Sequence, residues 1–181
     1  LCLLKTGSNG DAIEAFKIAI KMDESFLPAW GNIGNALKNE GRLHEALLAT
    51  QKVLELDPKN SDAQMNLSGI YKDLGNLDQA LAFALKSLEI KPDSPTALMN
   101  LGSIYKDLEN LDQALASTLK SLEIKPDNPT ALMNLGAIYL DLRLYENALK
   151  ATLESINIQP NNSSSYVNLC EAYRKLDKNS K

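Results

Sequence analysis

The sequence predicts an all-α solenoid of antiparallel helix pairs, and three observations carry that expectation. Pro-Thr-Ala-Leu-Met-Asn-Leu-Gly stands at 95–102 and again at 129–136, and the chain around it repeats with a period of 34 residues. Residues 76–105 and 110–139 match at all but four of thirty positions, the exceptions being Phe83/Ser117, Ala84/Thr118, Ser94/Asn128 and Ser103/Ala137. Within each period apolar residues recur at helical spacing in two runs separated by turn residues. Such a period marks stacked supersecondary units in place of one central core.

The register follows from Leu27, Ser61, Pro95 and Pro129, which open complete repeats at 27–60, 61–94, 95–128 and 129–162. Partial repeats at 1–26 and 163–181 flank them, so the chain reads as one elongated domain whose ends cut through a longer array. In repeat 95–128 the first helix aligns Ala97, Leu101, Ile104, Tyr105 and Leu108; the second aligns Leu111, Ala114, Leu115, Leu119 and Leu122. Ser94-Pro95 and Asn128-Pro129 set an N-cap residue before a Pro at the first helical position, where its missing N–H is not needed. Pro58, Pro92, Pro126 and Pro160 fall just past the second helix, and Gly41 and Gly75 mark the turn between helices.

Small residues recur where helices must meet. Ala12, Ala46, Ala80, Ala114 and Ala148 hold one such position without exception, and Gly34, Ser68, Gly102, Gly136 and Cys170 hold another. Leu37, Tyr71, Tyr105, Tyr139 and Tyr173 are expected to fill the space between. Cys170 is expected to be one more small buried side chain, and its separation from Cys2 along an elongated chain argues against a disulfide.

Composition narrows the function classes. A net charge of −4 and a pI of about 5.1, with Lys and Arg scattered among acids, withhold the attraction that nucleic acid or an anionic membrane requires. No apolar run approaches the roughly 18 residues of a membrane span, and residues 1–7 are too short for a signal peptide. A soluble, cytoplasmic protein is the expectation. His44, the sole histidine, has no Cys or His at metal-ligand spacing. Neither a Ser/His/Asp set nor a phosphate loop can be assembled, so no enzyme activity, metal or cofactor is expected.

Trp30, Ile33, Gly34, Leu37, Gly41, Ala46 and Pro58 stand in an order that resembles the tetratricopeptide repeat, and the resemblance holds over six units in one register. It implies a right-handed α–α superhelix whose first helices line a concave surface, and a module that binds protein or peptide. Two departures stand out. Glu109, Arg143 and Asp177 replace the turn Gly, so Asn110 is expected to take the left-handed conformation instead. Thr50, Ala84, Thr118 and Thr152 replace a bulky residue of the second helix, where packing is expected to be looser or the helices closer.

A second stripe on the first helices is distinct from their packing face. It runs Asp62, Asn66, Gly69, Asp73, then Thr96, Asn100, Ser103, Asp107, then Thr130, Asn134, Ala137, Asp141, each set at i, i+4, i+7, i+11. One member never varies: Asn32, Asn66, Asn100, Asn134 and Asn168 stand one period apart. A carboxamide presents donor and acceptor side by side, as a peptide unit does, so these residues suit the backbone of an extended ligand in the concave groove. With helices about 8–10 Å apart and an extended chain covering about 3.3 Å per residue, one rung would meet roughly every third ligand residue. Asp73, Asp107 and Asp141 form a second row, for hydroxyl or basic side chains, and Lys38, Lys72, Lys106 and Arg174 a neighbouring one. The double pattern is similar to the superhelical array of the O-linked N-acetylglucosamine transferases, which implies a substrate-selecting part of a larger protein.

An ordinary reading stands beside the binding one. Asn before Leu-Gly is common in the family that the chain resembles, and near-identical repeats copy a neutral residue as faithfully as a useful one. A co-chaperone carboxylate clamp is not expected, because Asn35 and Asn66 match its Asn part while Thr96 and Asn100 occupy its basic positions. Pentatricopeptide RNA readers have a period one residue longer. Trp30 is expected in packing, and Met65, Met99 and Met133 in core or groove wall. A different function class is a self-associating spacer. Tyr166, Leu169, Tyr173 and Leu176 at one end, and Leu3, Leu4 and Phe16 at the other, are expected to leave uncovered stripes that favour end-to-end homo-oligomers.

Overall fold

The structure, a computed structural model, describes residues 9–179; Cys2, Leu3 and Leu4 lie outside them. Among the described residues every regular element is an α-helix: α1 (Asn9–Met22), α2 (Leu27–Asn39), α3 (Leu43–Leu56), α4 (Ser61–Asp73), α5 (Leu77–Ile90), α6 (Pro95–Asp107), α7 (Leu111–Ile124), α8 (Pro129–Asp141), α9 (Tyr145–Ile158) and α10 (Ser163–Asn179). The fold is an all-α helical-repeat solenoid. Its backbone gathers into two compact units that divide at Pro92 and Asp93, next to the junction of repeats 61–94 and 95–128. In the first unit α2 pairs with α3 and α4 with α5, while α1 packs on α2, α3 packs on α4, and α2 touches α4. In the second unit α6 pairs with α7 and α8 with α9, α7 packs on α8, α9 on α10, and the first helices α6, α8 and α10 are successive neighbours.

Local chemistry starts and stops these helices. Asn60 accepts from the Ala63 N–H at 3.0 Å, Ser94 from Ala97 at 3.4 Å, and Asn128 from Thr130 and Ala131 at 3.2 and 3.3 Å. Gly41 and Gly75 end α2 and α4 at φ +74° and +78°. Glu109 and Arg143 take that left-handed conformation themselves, at φ 59° and 60°. Asn110, expected to take it, has φ −91°. The cause is backbone hydrogen bonding: Glu109 N–H donates to the Lys106 carbonyl at 2.9 Å and Asn110 N–H to Tyr105 at 2.8 Å. Gly75 and Asn76 close α4 in the same way. That pair of bonds requires the left-handed turn at the residue directly after the C-cap, whatever side chain it carries.

The helices approach closely. Thr50, Thr118 and Thr152 are buried, and a Cβ on Gly34, Gly102 or Gly136 would collide with the hydroxyl of the threonine in its own repeat. Repeat 61–94 exchanges the sizes, with Ser68 and Ala84 at the equivalent positions, both buried. Such contact admits only small side chains. Ala114, Thr118 and Ser121 therefore make the buried face of α7, and Leu119, expected on it, is turned out to 38% exposure. A hydroxyl clasp adds to the contact: Ser87, Ser121 and Ser155 donate to the carbonyls of Ser61, Pro95 and Pro129 at 2.9, 2.7 and 2.8 Å. Ile70, Ile104 and Ile138 are fully buried, while Tyr71, Tyr105 and Tyr139 are half-buried.

The ends of the described segment correct two expectations. Cys170 is exposed, because a second-helix threonine covers its position in the complete repeats of the second unit and no second helix follows α10 among the described residues. Phe16 packs against the core of α1, α2 and α3 and forms no open stripe. Tyr166 and Tyr173 are exposed, as expected, and Leu169 is half-buried.

Candidate functional site

In the first unit α2 and α4 carry Asn32 and Asn66; in the second α6, α8 and α10 carry Asn100, Asn134 and Asn168. All five are half-buried. Because the first helices of a unit are neighbours and the asparagines share one repeat position, each unit carries its own short row. Among the described residues the side chains of Asn66, Asn100 and Asn134 have no hydrogen-bond partner. Asn168 differs: its Nδ2 donates to the backbone carbonyl of Met133 on α8 at 3.0 Å.

The Lys and Asp rows are joined. Lys38 Nζ lies 3.5 Å from Asp73 Oδ2, and Lys106 Nζ lies 3.3 Å from Asp141 Oδ2, each reaching from one repeat to the next. Lys38 passes over Gly69, where a Cβ would come within 2.9 Å of its Nζ. Asp73 and Asp141 therefore have their charge answered inside the array. Lys72 is half-buried on α4 beside Asp73. Arg174 departs from the row, donating twice to Glu171 on its own helix, at 2.9 and 2.7 Å.

In the second unit a depression of about 280 Å³ brings Lys106, Asp141 and Asn168 together with Ala137, Glu171 and Lys175. Asp107 borders an adjacent hollow that it shares with Lys106 and Asp141. Hydrogen bonds from Arg174, reinforced by the charges of Arg174 and Lys175, hold the Glu171 carboxyl below its ordinary range. Glu171 and Lys175 were not singled out in the sequence. Their signal is the stripe carried one repeat further, where it reads Ser164, Asn168, Glu171, Lys175 and sets charge at positions that are small or acidic in the three preceding repeats.

Other singled-out residues fall into packing roles. Trp30 lies half-buried against the core, its Nε1 donating to the Glu24 carbonyl at 2.9 Å. Met99 and Met133 are half-buried at the seams between repeats, their sulfurs 3.9 and 3.6 Å from the Nδ2 of Asn128 and Asn162. His44 is exposed. Among the described residues no three His, Cys, Asp or Glu gather as a metal-ligand set, and no helix is long and apolar enough to cross a membrane. The stripe offers amide donors and acceptors beside paired charges, a surface suited to holding a polar chain.

Models of the tetratricopeptide repeat match residues 28–60, 61–94 and 129–162, and a TPR repeat model matches 102–142. The chain belongs to the tetratricopeptide repeat family. Such arrays are protein–protein interaction modules and are generally non-catalytic. No curated protein matches the sequence. Among solved structures, a chain of the APC/C hetero-tetramer Cut9–Hcn1 superposes with a TM-score of 0.92 at 20% identity, over 97% of this chain and 35% of that one. This chain thus spans about a third of that relative. A thermophilic TPR protein of Thermus thermophilus gives 0.82 at 22% identity, covering 94% and 93% of the two chains. YrrB, a TPR protein with an unusual peptide-binding site, gives 0.66 at 23% identity, covering 91% and 85%. At these identities the likeness is one of fold.

Proposed function

We propose that the array binds extended polypeptide along the first-helix stripe, through Asn32, Asn66, Asn100, Asn134 and Asn168, and serves as a substrate-selecting part of a larger protein. The observation that carries this reading is the contrast among the asparagines. Asn168 donates to a main-chain carbonyl, while equivalent amides on α4, α6 and α8 have no partner among the described residues and are available to a ligand backbone. The paired Lys and Asp residues flank them and favour polar ligands of low net charge. Replacing Asn66, Asn100 and Asn134 together by Ala is expected to weaken binding to an array of mixed-sequence extended peptides. The loss should be about 0.5–1.5 kcal/mol per net hydrogen bond, with helicity unchanged by circular dichroism. An unaltered peptide profile in that variant removes the asparagines from binding.

The exposed Tyr166 and Tyr173 on α10 favour a second reading, a scaffold that self-associates end to end. Mass by analytical ultracentrifugation should then rise with concentration and fall back in Tyr166→Glu. A concentration-independent monomer excludes it.

A further inference from the structure

A hollow of about 510 Å³ in the first unit, between α1, α2 and α3, lies apart from the asparagine stripe. Ile33, Leu37 and Ala49 form its floor, Trp30 a wall, and Leu48 its mouth. Leu48 is 67% exposed, where the other complete repeats carry Ala82, Ala116 and Lys150.

The next repeat shows how the same space is filled. One period on from Leu37, Ala49 and Lys52 stand Tyr71, Phe83 and Lys86. There the Phe83 ring stacks on Tyr71 with centroids 5.3 Å apart and planes 7° from parallel, and Lys86 Nζ stands 5.2 Å above the Phe83 ring. Repeats 95–128 and 129–162 keep the first-helix ring as Tyr105 and Tyr139 and replace the second by Ser117 and Ala151. Of the four complete repeats, 27–60 alone has neither ring, which leaves room for one beside Trp30. Lys52 lines this hollow at the position from which Lys86 covers Phe83, so a ring entering it meets both an aromatic wall and a cation.

The rim carries Lys17, Lys21, Lys52 and Glu45. Both Glu45 oxygens are taken by Arg42, at 2.7 Å each. Lys17 and Lys52 contact Glu14 and Glu55 in exposed pairs, which are weak and readily exchanged. The rim therefore favours carboxylates on an incoming chain.

We propose that this hollow is a docking socket for a partner segment that carries a Phe or Tyr flanked by Asp or Glu. Trp30, the chain's one tryptophan, lines the socket and reports on it directly. Titrating the full chain with acetyl-Asp-Glu-Gly-Phe-Gly-Glu-Asp-amide should shift Trp30 emission saturably and more strongly at low salt. Exchanging the peptide's Phe for Ala, or its acids for Lys, should weaken binding about tenfold or more. Ala49→Phe, which installs the residue the next repeat carries, should abolish the shift with circular dichroism unchanged; should that variant misfold, Leu48→Glu at the exposed mouth gives the same readout. The Asn66, Asn100 and Asn134 triple variant should bind as wild type, which separates this socket from the stripe. No saturable shift at millimolar peptide, or equal binding by the Phe and Ala peptides, overturns the proposal. So does self-association that Ala49→Phe abolishes, since it assigns the socket to a second copy.

Discussion

Repeats 61–94 and 95–128 share most of their residues, yet they close the same helix–helix contact in opposite ways. In the first, Ser68 on α4 is matched with Ala84 on α5; in the second, Gly102 on α6 admits the larger Thr118 on α7. The turns differ as well, Gly75 in one and Glu109 in the other, although both are left-handed with the same closing hydrogen bonds. What is shared is the burial of both facing positions and the left-handed turn between the helices. A close-packed contact constrains the summed volume of the two side chains facing it, so one can grow where its partner shrinks.

The largest expected effect tests that pairing. Gly102→Ser alone should destabilise by about 1–3 kcal/mol, because the new side chain enters space held by Thr118. Adding Thr118→Ala should recover most of the loss, since it recreates the arrangement of Ser68 and Ala84. Urea unfolding of the two singles and the double closes the cycle; additive losses would break the comparison.

A smaller effect is expected at the turns. Glu109→Gly should stabilise by about 1 kcal/mol by relieving a left-handed side-chain conformation, and Gly75→Glu should cost a similar amount. Equal melting temperatures for wild type and Glu109→Gly would mean that neighbouring contacts offset the backbone cost.

The smallest effect extends the comparison to repeat 27–60, where Arg42 and Glu45 form a bidentate pair at positions held by Asn76 and Gln79, or Asn110 and Gln113, in the other two. Hydrogen bonds from Arg42 lower the Glu45 pKa. Its contribution is therefore present above the ordinary carboxylate range and lost as pH falls through the lowered value. Stability followed by urea from neutral to acid pH should show this slight loss, removed by Arg42→Ala and reduced by salt.

Much of the fold was legible because it is decided within a repeat. The N-caps at Ser94 and Asn128, the register, and the shared face of the asparagines depend on spacing and neighbouring hydrogen bonds. Residue preference points to Asn110 for the left-handed turn, but hydrogen-bond closure sets Glu109 at the turning position. Leu119 and Cys170 are exposed against expectation because periodicity identifies a stripe without saying what covers it. Of the candidate site, the positions were readable and the pairing was not: Lys38 and Asp73 look like members of separate rows until α2 and α4 lie side by side.

By itself the sequence determined the helical repeat, its boundaries and the residues that share each face, since these follow from local dihedral preferences and periodic burial. Tertiary structure alone decided that Thr118 presses on Gly102, that Lys106 answers Asp141, and that Leu37 and Ala49 leave a hollow where Tyr71 and Phe83 stack in the next repeat. Each of these depends on ångström-scale distances between side chains on different helices. Such distances come from the joint packing of all the facing side chains, which the spacing of residues along one chain does not encode.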